Sequence, residues 1–283
     1  MTYELYHGDC LEVMKKLPDQ SIDLILTDPP YGTTQSPWDI VIPFEPMWVE
    51  LKRLIKPNRA IVLFGSEPFS SRLRLSNLDM YKYDWKWQKK RPAGFVNAKL
   101  KPLKTYEDIM VFSEGKTSNG NANNMIYNPQ GLVKLATPMN KTLRKPNQAH
   151  GENDYWRPSH DKGYVQEWTN YPKDVLEVGD MGDGKKVHPT QKPVALMEYL
   201  IQTYSNSGET VLDFTMGSGS TGVAAVNTNR NFIGIEQSDK HFPTAKSRIE
   251  EARKDAYEIS LGMKPSKKKV ESEPEAEITK FFE

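Results

Sequence analysis

Short, unbroken apolar runs along the chain alternate with stretches whose apolar residues recur every three or four positions. Runs of the first kind are what strands buried on both faces produce; the second spacing marks helices with one face inward. Residues 3–7 alternate weakly and read as a strand stopped by Gly8. Leu11, Met14 and Leu17 put a short helix over residues 10–17, and a turn at residues 18–21 leads into a strand over residues 22–27. Phe44, Met47, Trp48, Leu51 and Leu54 share one side of a helix over residues 44–54. Residues 60–65 are the strongest buried-strand candidate of the first half. A helix over 68–78, an aromatic strand over 81–87 and a short strand over 109–112 follow.

From Ser113 to about Lys186 the periodicity fades into Gly, Asn, Pro, Lys and Thr. That is too long for an ordinary loop. Tyr127, Tyr155, Trp156, Tyr164, Trp168 and Tyr171 give it rings to bury or stack, so it reads as an irregular recognition region, partly ordered by its target. The rhythm then returns. A helix is expected over 193–204 with Pro193 in its first turn, a strand over 210–214, a helix from about 223, a strand over 231–236 and a helix over 241–261. The lysine block and glutamates after residue 263 read as a disordered charged tail.

This rhythm is α/β, and 283 residues hold one good core plus an appended region. No run approaches the roughly 20 apolar residues of a membrane span, and the N-terminus lacks a signal-peptide pattern. A cytoplasmic protein with no membrane partner is expected. The single cysteine, Cys10, excludes an intrachain disulfide and a Cys-based zinc cluster. The scattered histidines offer no metal-ligand spacing, so no metal is expected. Net charge is only +1, but residues 86–150 hold twelve basic residues, among them Lys89, Lys90, Arg91, Arg144 and Lys145, against the acids Glu107, Asp108 and Glu114. Such a patch can hold phosphates.

Two stretches carry chemistry. After the strand at 22–27 come Asp28, Pro29, Pro30 and Tyr31: a carboxylate that accepts hydrogen bonds, two prolines that stiffen the exit loop, and a ring that stacks on a flat substrate. Far downstream Gly217, Gly219 and Gly222 stand between a strand and a helix, and Glu236 ends the next strand. This is nucleoside-ligand spacing, in which a carboxylate takes the ribose hydroxyls. The spacing alone admits NAD, FAD and S-adenosylmethionine. Asp213, just ahead of the glycines, suits the positive amino acid end of S-adenosylmethionine better than a pyrophosphate.

The motifs and their order resemble the amino DNA methyltransferases with permuted order, the beta group. Asp28-Pro29-Pro30-Tyr31 is similar to that family's catalytic tetrapeptide, and residues 213–221 to its cofactor segment, with Phe214, Thr215 and Ser220 as mild departures. Residues 188–193, with His188, Thr190 and Lys192, resemble the segment that packs on the cofactor's methionine part; Gly8-Asp9-Cys10 resembles the one touching adenine. The resemblance implies a Rossmann-like S-adenosylmethionine-dependent methyltransferase fold, with a mostly parallel seven-stranded sheet and one reversed strand. Residues 1–112 and 185–262 would form the catalytic domain and residues 113–184 a target-recognition insertion.

By the same resemblance Asp28, Pro29 and Tyr31 are catalytic. Asp9, Cys10, His188, Thr190, Lys192, Asp213, Phe214, Gly217, Gly219, Ser220 and Glu236 bind cofactor, and Pro30, Lys89, Lys90, Arg91, Arg144 and Lys145 meet substrate. The partner is double-stranded DNA, and the group admits a homodimer and a cognate restriction endonuclease. Asp28 favours adenine N6 over cytosine N4. A dinucleotide-dependent oxidoreductase and a non-catalytic DNA-binding protein are the readings to weigh against it.

Overall fold

The computed structural model describes residues 1–36, 38–119, 121–141, 164–178 and 191–263. Among them, ten strands and six helices follow in the order β1 (Tyr3–His7), α1 (Cys10–Met14), β2 (Ile22–Thr27), α2 (Phe44–Leu54), β3 (Ile55–Gly65), α3 (Phe69–Leu75), β4 (Tyr81–Ala93), β5 (Lys104–Phe112), β6 (Val133–Lys141), β7 (Tyr164–Thr169), β8 (Val175–Leu176), α4 (Val194–Tyr204), β9 (Thr210–Asp213), α5 (Ser220–Asn227), β10 (Asn231–Glu236) and α6 (His241–Ser260).

The main sheet runs β1-β10-β9-β2-β3-β5-β4-β8. β5 is antiparallel to both β3 and β4, and every other pairing in it is parallel. The seven strands with one reversed member are therefore present, and the two-residue β8 adds an eighth at the β4 edge.

Both faces of the sheet are covered, so its strands show no polar alternation. The alternation instead sorts apolar side chains between two cores. Leu24, Leu26, Ala60, Val62, Phe64 and Val211 pack beneath α4, α5 and α6. Ile25, Ile61, Leu63, Met110 and Leu212 pack beneath α1, α2 and α3. Trp85 and Trp87 are buried in the first core. Trp85 donates its indole N–H to the fully buried Tyr204 hydroxyl at 2.5 Å. Leaving that phenol unpaired would cost about 1–3 kcal/mol.

Two expectations need correcting. β4 and β5 reach well past residues 87 and 109, because Lys89, Lys90, Arg91, Lys104 and Glu107 continue a two-stranded ribbon beyond the core. Within the stretch read as irregular, β6 and β7 pair antiparallel.

Candidate active site

The site forms where strand order turns back, at the carboxyl ends of β2 and β9. In an open α/β sheet this is the place where loops from adjacent strands diverge and leave a crevice. β2 and β9 pair in parallel through Leu24–Val211 and Ile25–Leu212, which brings the two chemistry-bearing stretches side by side. Thr27 joins them. Its hydroxyl donates to Asp213 Oδ1 and accepts the Phe214 N–H at 3.0 Å. Beside it the Thr215 hydroxyl donates to the Asp28 carbonyl at 3.1 Å.

Asp213 is buried. Its Oδ1 also accepts the Thr215 N–H at 3.1 Å, and its Oδ2 accepts the Thr221 hydroxyl at 2.5 Å. These donors are neutral, so burial dominates and pushes the carboxyl up to about 6.

Glu236, at the end of β10, accepts the Gly217 N–H and the Ser238 N–H at 2.8 Å each. These bonds aim the carboxylate across the glycine turn. Gly219 takes φ +80°, and a Cβ there would come within 3.0 Å of Ala245 on α6, so only glycine allows this close approach. Asp9 caps α1 through the N–H groups of Leu11 and Glu12, and the Gly8 N–H donates to the Glu236 carbonyl at 3.0 Å. Asp9 and Cys10 thus stand next to Glu236. Burial pushes the Cys10 thiol up to about 12, and its side chain packs in the α1–α3 core.

Asp28 carries a denser set of contacts. Lys192 Nζ lies 2.5 Å from Asp28 Oδ2, and the Tyr31 hydroxyl donates to Asp28 Oδ1. The Tyr31 ring stacks on Phe69 with centroids 5.1 Å apart. Lys192 in turn lies 3.1 Å from Glu107 Oε2, and Lys89 pairs with Glu107 Oε1. Burial raises Asp28 above the ordinary carboxylate range, the Lys192 ammonium opposes it, and Glu107 adds to the rise. For Lys192, burial is outweighed by the attraction of Asp28 and Glu107, so it stays charged.

The loop behind Tyr31 is held by one residue. Asp39 Oδ1 accepts the N–H groups of Tyr31 and Gly32 at 2.8 and 2.9 Å, and Oδ2 accepts those of Thr33 and Thr34 at 2.9 and 2.7 Å.

The structure thus brings Asp28, Pro29, Tyr31, Lys192 and Asp213 together, and separately gathers Gly217, Glu236, Asp9 and Cys10 around the next strand end. Lys192, expected to bind the cofactor's methionine part, pairs with Asp28. Phe214 is 1% exposed and its ring belongs to the α1–α3 core, while the Ser220 hydroxyl is met by Arg248 at 3.4 Å. Pro30 is half-buried beside Tyr31. Lys90 and Arg91 are exposed, whereas Lys89 is committed to Glu107. His188, Thr190, Arg144 and Lys145 lie outside the described residues.

Sequence reasoning missed Thr27, Asp39 and Glu107 as site residues. For Glu107 the available signal was an acid leading directly into the apolar run of 109–112. Asp39 offered only a carboxylate closing a polar loop. Among the described residues no cluster of three His, Cys, Asp or Glu side chains could hold a metal, and no helix is long and apolar enough to cross a membrane.

Comparison with known proteins bears on the family and the fold. A family model described as DNA methylase, N6_N4_Mtase, matches residues 22–247. The type II methyltransferase M.HinfI of Haemophilus influenzae is 29% identical, over 96% of this chain and 76% of its own length. The DNA adenine methyltransferase YhdJ of Escherichia coli is 30% identical, over 88% of this chain and 83% of its own. The crystal structure of the M1.HpyAVI–SAM complex superposes with a TM-score of 0.56 at 28% identity, covering 87% of this chain and 100% of that one. The PvuII cytosine-N4-specific DNA methyltransferase, at 16% identity and TM-score 0.59 over 93% of this chain and 94% of its own, shares the fold. A dinucleotide-dependent oxidoreductase is thereby set aside. With its motifs in permuted order on a matching fold, the chain belongs to the N6_N4_Mtase family of DNA methylases.

Proposed function

We propose that this protein methylates the exocyclic N6 amino group of adenine within a specific double-stranded DNA sequence, with the target base rotated out of the helix. The observation that carries this reading is the tie between Asp28 and Asp213, made by Thr27 and Thr215. It holds the Asp28 carboxylate, placed for the substrate amine, beside Asp213, the carboxylate suited to the cofactor's ammonium group.

S-adenosylmethionine is the methyl donor, and when bound it supplies an electrophilic methyl carbon. The residues fit it. Asp213 is a buried carboxylate with only neutral hydrogen-bond donors, suited to an ammonium group. Glu236 is a carboxylate held open by two backbone N–H groups, suited to ribose hydroxyls.

The amine to be methylated is a poor nucleophile because its lone pair delocalises into the ring. Asp28 and the Pro29 carbonyl accept its two hydrogens and turn the lone pair out of the ring plane. Tyr31 leaves Asp28 and stacks on the base. With the donor bound, the nitrogen would take the methyl carbon as that carbon's bond to the sulfonium sulfur breaks, leaving S-adenosylhomocysteine, and it sheds one proton, which Asp28 directs toward solvent. Positioning and charge complementarity carry the rate. The base is buried in a duplex and must be extruded for this.

DNA contact is supported by the β4–β5 ribbon, which extends from the same end of the sheet as Asp28. Residues 88–106 carry six cations and no acid, and Phe95, Val96 and Leu100 at its tip are 73%, 98% and 84% exposed. The choice of adenine draws on Asp28 in the first position of the tetrapeptide and on the adenine-modifying relative.

The test is mass-resolved nucleoside analysis of DNA from a host without its own base methylation, expressing this protein or Asp28→Ala. N6-methyladenine in the wild type alone is expected. N4-methylcytosine would move the chemistry to the other base, and no modified base in either would favour a non-catalytic DNA-binding protein.

A further inference from the structure

Glu107 has no part in the reaction just described, yet it is built into the site. It stands on β5, the reversed strand, with its side chain 11% exposed. One oxygen pairs with Lys89 and the other faces Lys192 at 3.1 Å. Lys192, 7% exposed, is caged by two carboxylates and two rings, with its ammonium 5.1 Å from the Phe64 centroid and 5.9 Å from that of Tyr31.

We propose that Glu107 is a positioning residue for the transfer: by taking a share of the Lys192 ammonium, it leaves Asp28, which that ammonium keeps ionised, with accepting capacity for the substrate amine. This role rests on the reaction proposed above. An ammonium has three protons and one charge to distribute. With Asp28 as its sole carboxylate, Lys192 would claim that group fully and blunt it as an acceptor. Without Lys192, Asp28 and Glu107 would be two neighbouring, half-enclosed carboxylates, and one would take a proton. The pair of acids around one lysine avoids both outcomes.

The groups facing this cluster agree. Tyr31, Lys192 and Glu107 face Asp28, with Asp213 on the next strand end. Lys89 and Lys192 hold Glu107 ionised against the effect of burial. Lys104, from the start of β5, adds a further positive charge that Glu107 attracts.

Single-turnover methyl transfer to unmethylated plasmid DNA, followed from pH ~5 to ~9 with the full chain, tests the role. Glu107→Gln keeps the size and removes the charge. The expected result is a rate roughly 10-fold lower at neutral pH with S-adenosylhomocysteine binding unchanged. Its acid limb should move to lower pH, because the charge that raised Asp28 is gone. Glu107→Asp keeps the charge and shortens the reach. It should leave the acid limb in place and lower the rate, and it decides the matter if the Gln chain does not fold. In Glu107→Gln a uniform loss at every pH with the limb unmoved, or in Glu107→Asp a rate loss matched by an equal loss of S-adenosylhomocysteine binding, would mark Glu107 as merely structural and overturn the role. So would a rate within twofold of wild type in either variant. A wild type that transfers no methyl group at all would overturn the proposed reaction itself, before any variant is compared.

Discussion

Lys192 sets its ammonium 2.5 Å from the Asp28 carboxylate, although 164 positions separate them in sequence. Replacing Lys192 with Met leaves Asp28 and Glu107 with no shared cation. Breaking such an enclosed pair by removing one partner costs about 3 kcal/mol. Thermal melts should show that loss, and the acid limb of methyl transfer should move to higher pH, opposite to Glu107→Gln.

Asp39 gives a prediction about loop order. Its carboxylate is the acceptor for four consecutive backbone N–H groups behind Tyr31. Asp39→Ala strands those donors and should lower stability by about 2 kcal/mol, with protease cleavage appearing in the loop. Burial works against ionisation here, but the hydrogen bonds from Thr34, Gly32 and Thr33 win and hold the carboxyl below its ordinary value. Its contribution is therefore present above the unfolded pKa of about 4 and lost as pH falls through the lower folded value. The alanine chain should lack that part of the acid sensitivity in pH-dependent denaturation.

Asp213 predicts the reverse pH sign. Its folded pKa is raised to about 6, so stability from the neutral form is present below the unfolded value and is lost as pH rises through about 6. Cofactor binding should run the other way, since an ammonium group wants the ionised form. Calorimetric affinity for S-adenosylhomocysteine should hold above pH 6 and weaken roughly 10-fold per unit just below it. A flat profile from pH ~5 to ~7.5 would remove Asp213 from the binding site.

The β4–β5 ribbon predicts a salt effect. Lys90, Arg91, Lys99 and Lys101 are exposed there. Each one that meets a phosphate should contribute about 0.9 to the slope of log affinity against log salt. Lys99→Gln with Lys101→Gln should flatten that slope by up to about 2. Phe95→Ser should instead leave the slope alone and weaken extrusion of a fluorescent base analogue at the target.

Much of the architecture was legible locally. Residues 22–27 and 231–236 announce themselves as strands because both sheet faces are buried, and α2 shows its inward face at regular spacing. The ribbon beyond residue 87 was not legible, since its side chains face water on both sides and lysine carries no strand period. β6 and β7 are likewise largely exposed, so their pairing left no apolar pattern. At the site, the motif residues were readable because each sits in its own short segment. The Lys192–Glu107–Lys89 connection was not, because its members come from β5, β4 and the segment ahead of α4, distant stretches that only the fold brings together.

The strand order also bears on how the polypeptide can mature as it leaves the ribosome. β1 pairs with β10, and β2 with β3 and β9, so β1 and β2 do not pair with each other and are joined into one sheet only when β9 and β10 insert between them. A nascent chain halted before β9, at residue 210, leaves the middle of its sheet open, with apolar edges bare to chaperones or to other copies. Release of the C-terminal segment then closes sheet and active centre together. Partial translation products should accordingly be inert and aggregation-prone, while two separately produced halves that meet in solution could restore one working enzyme.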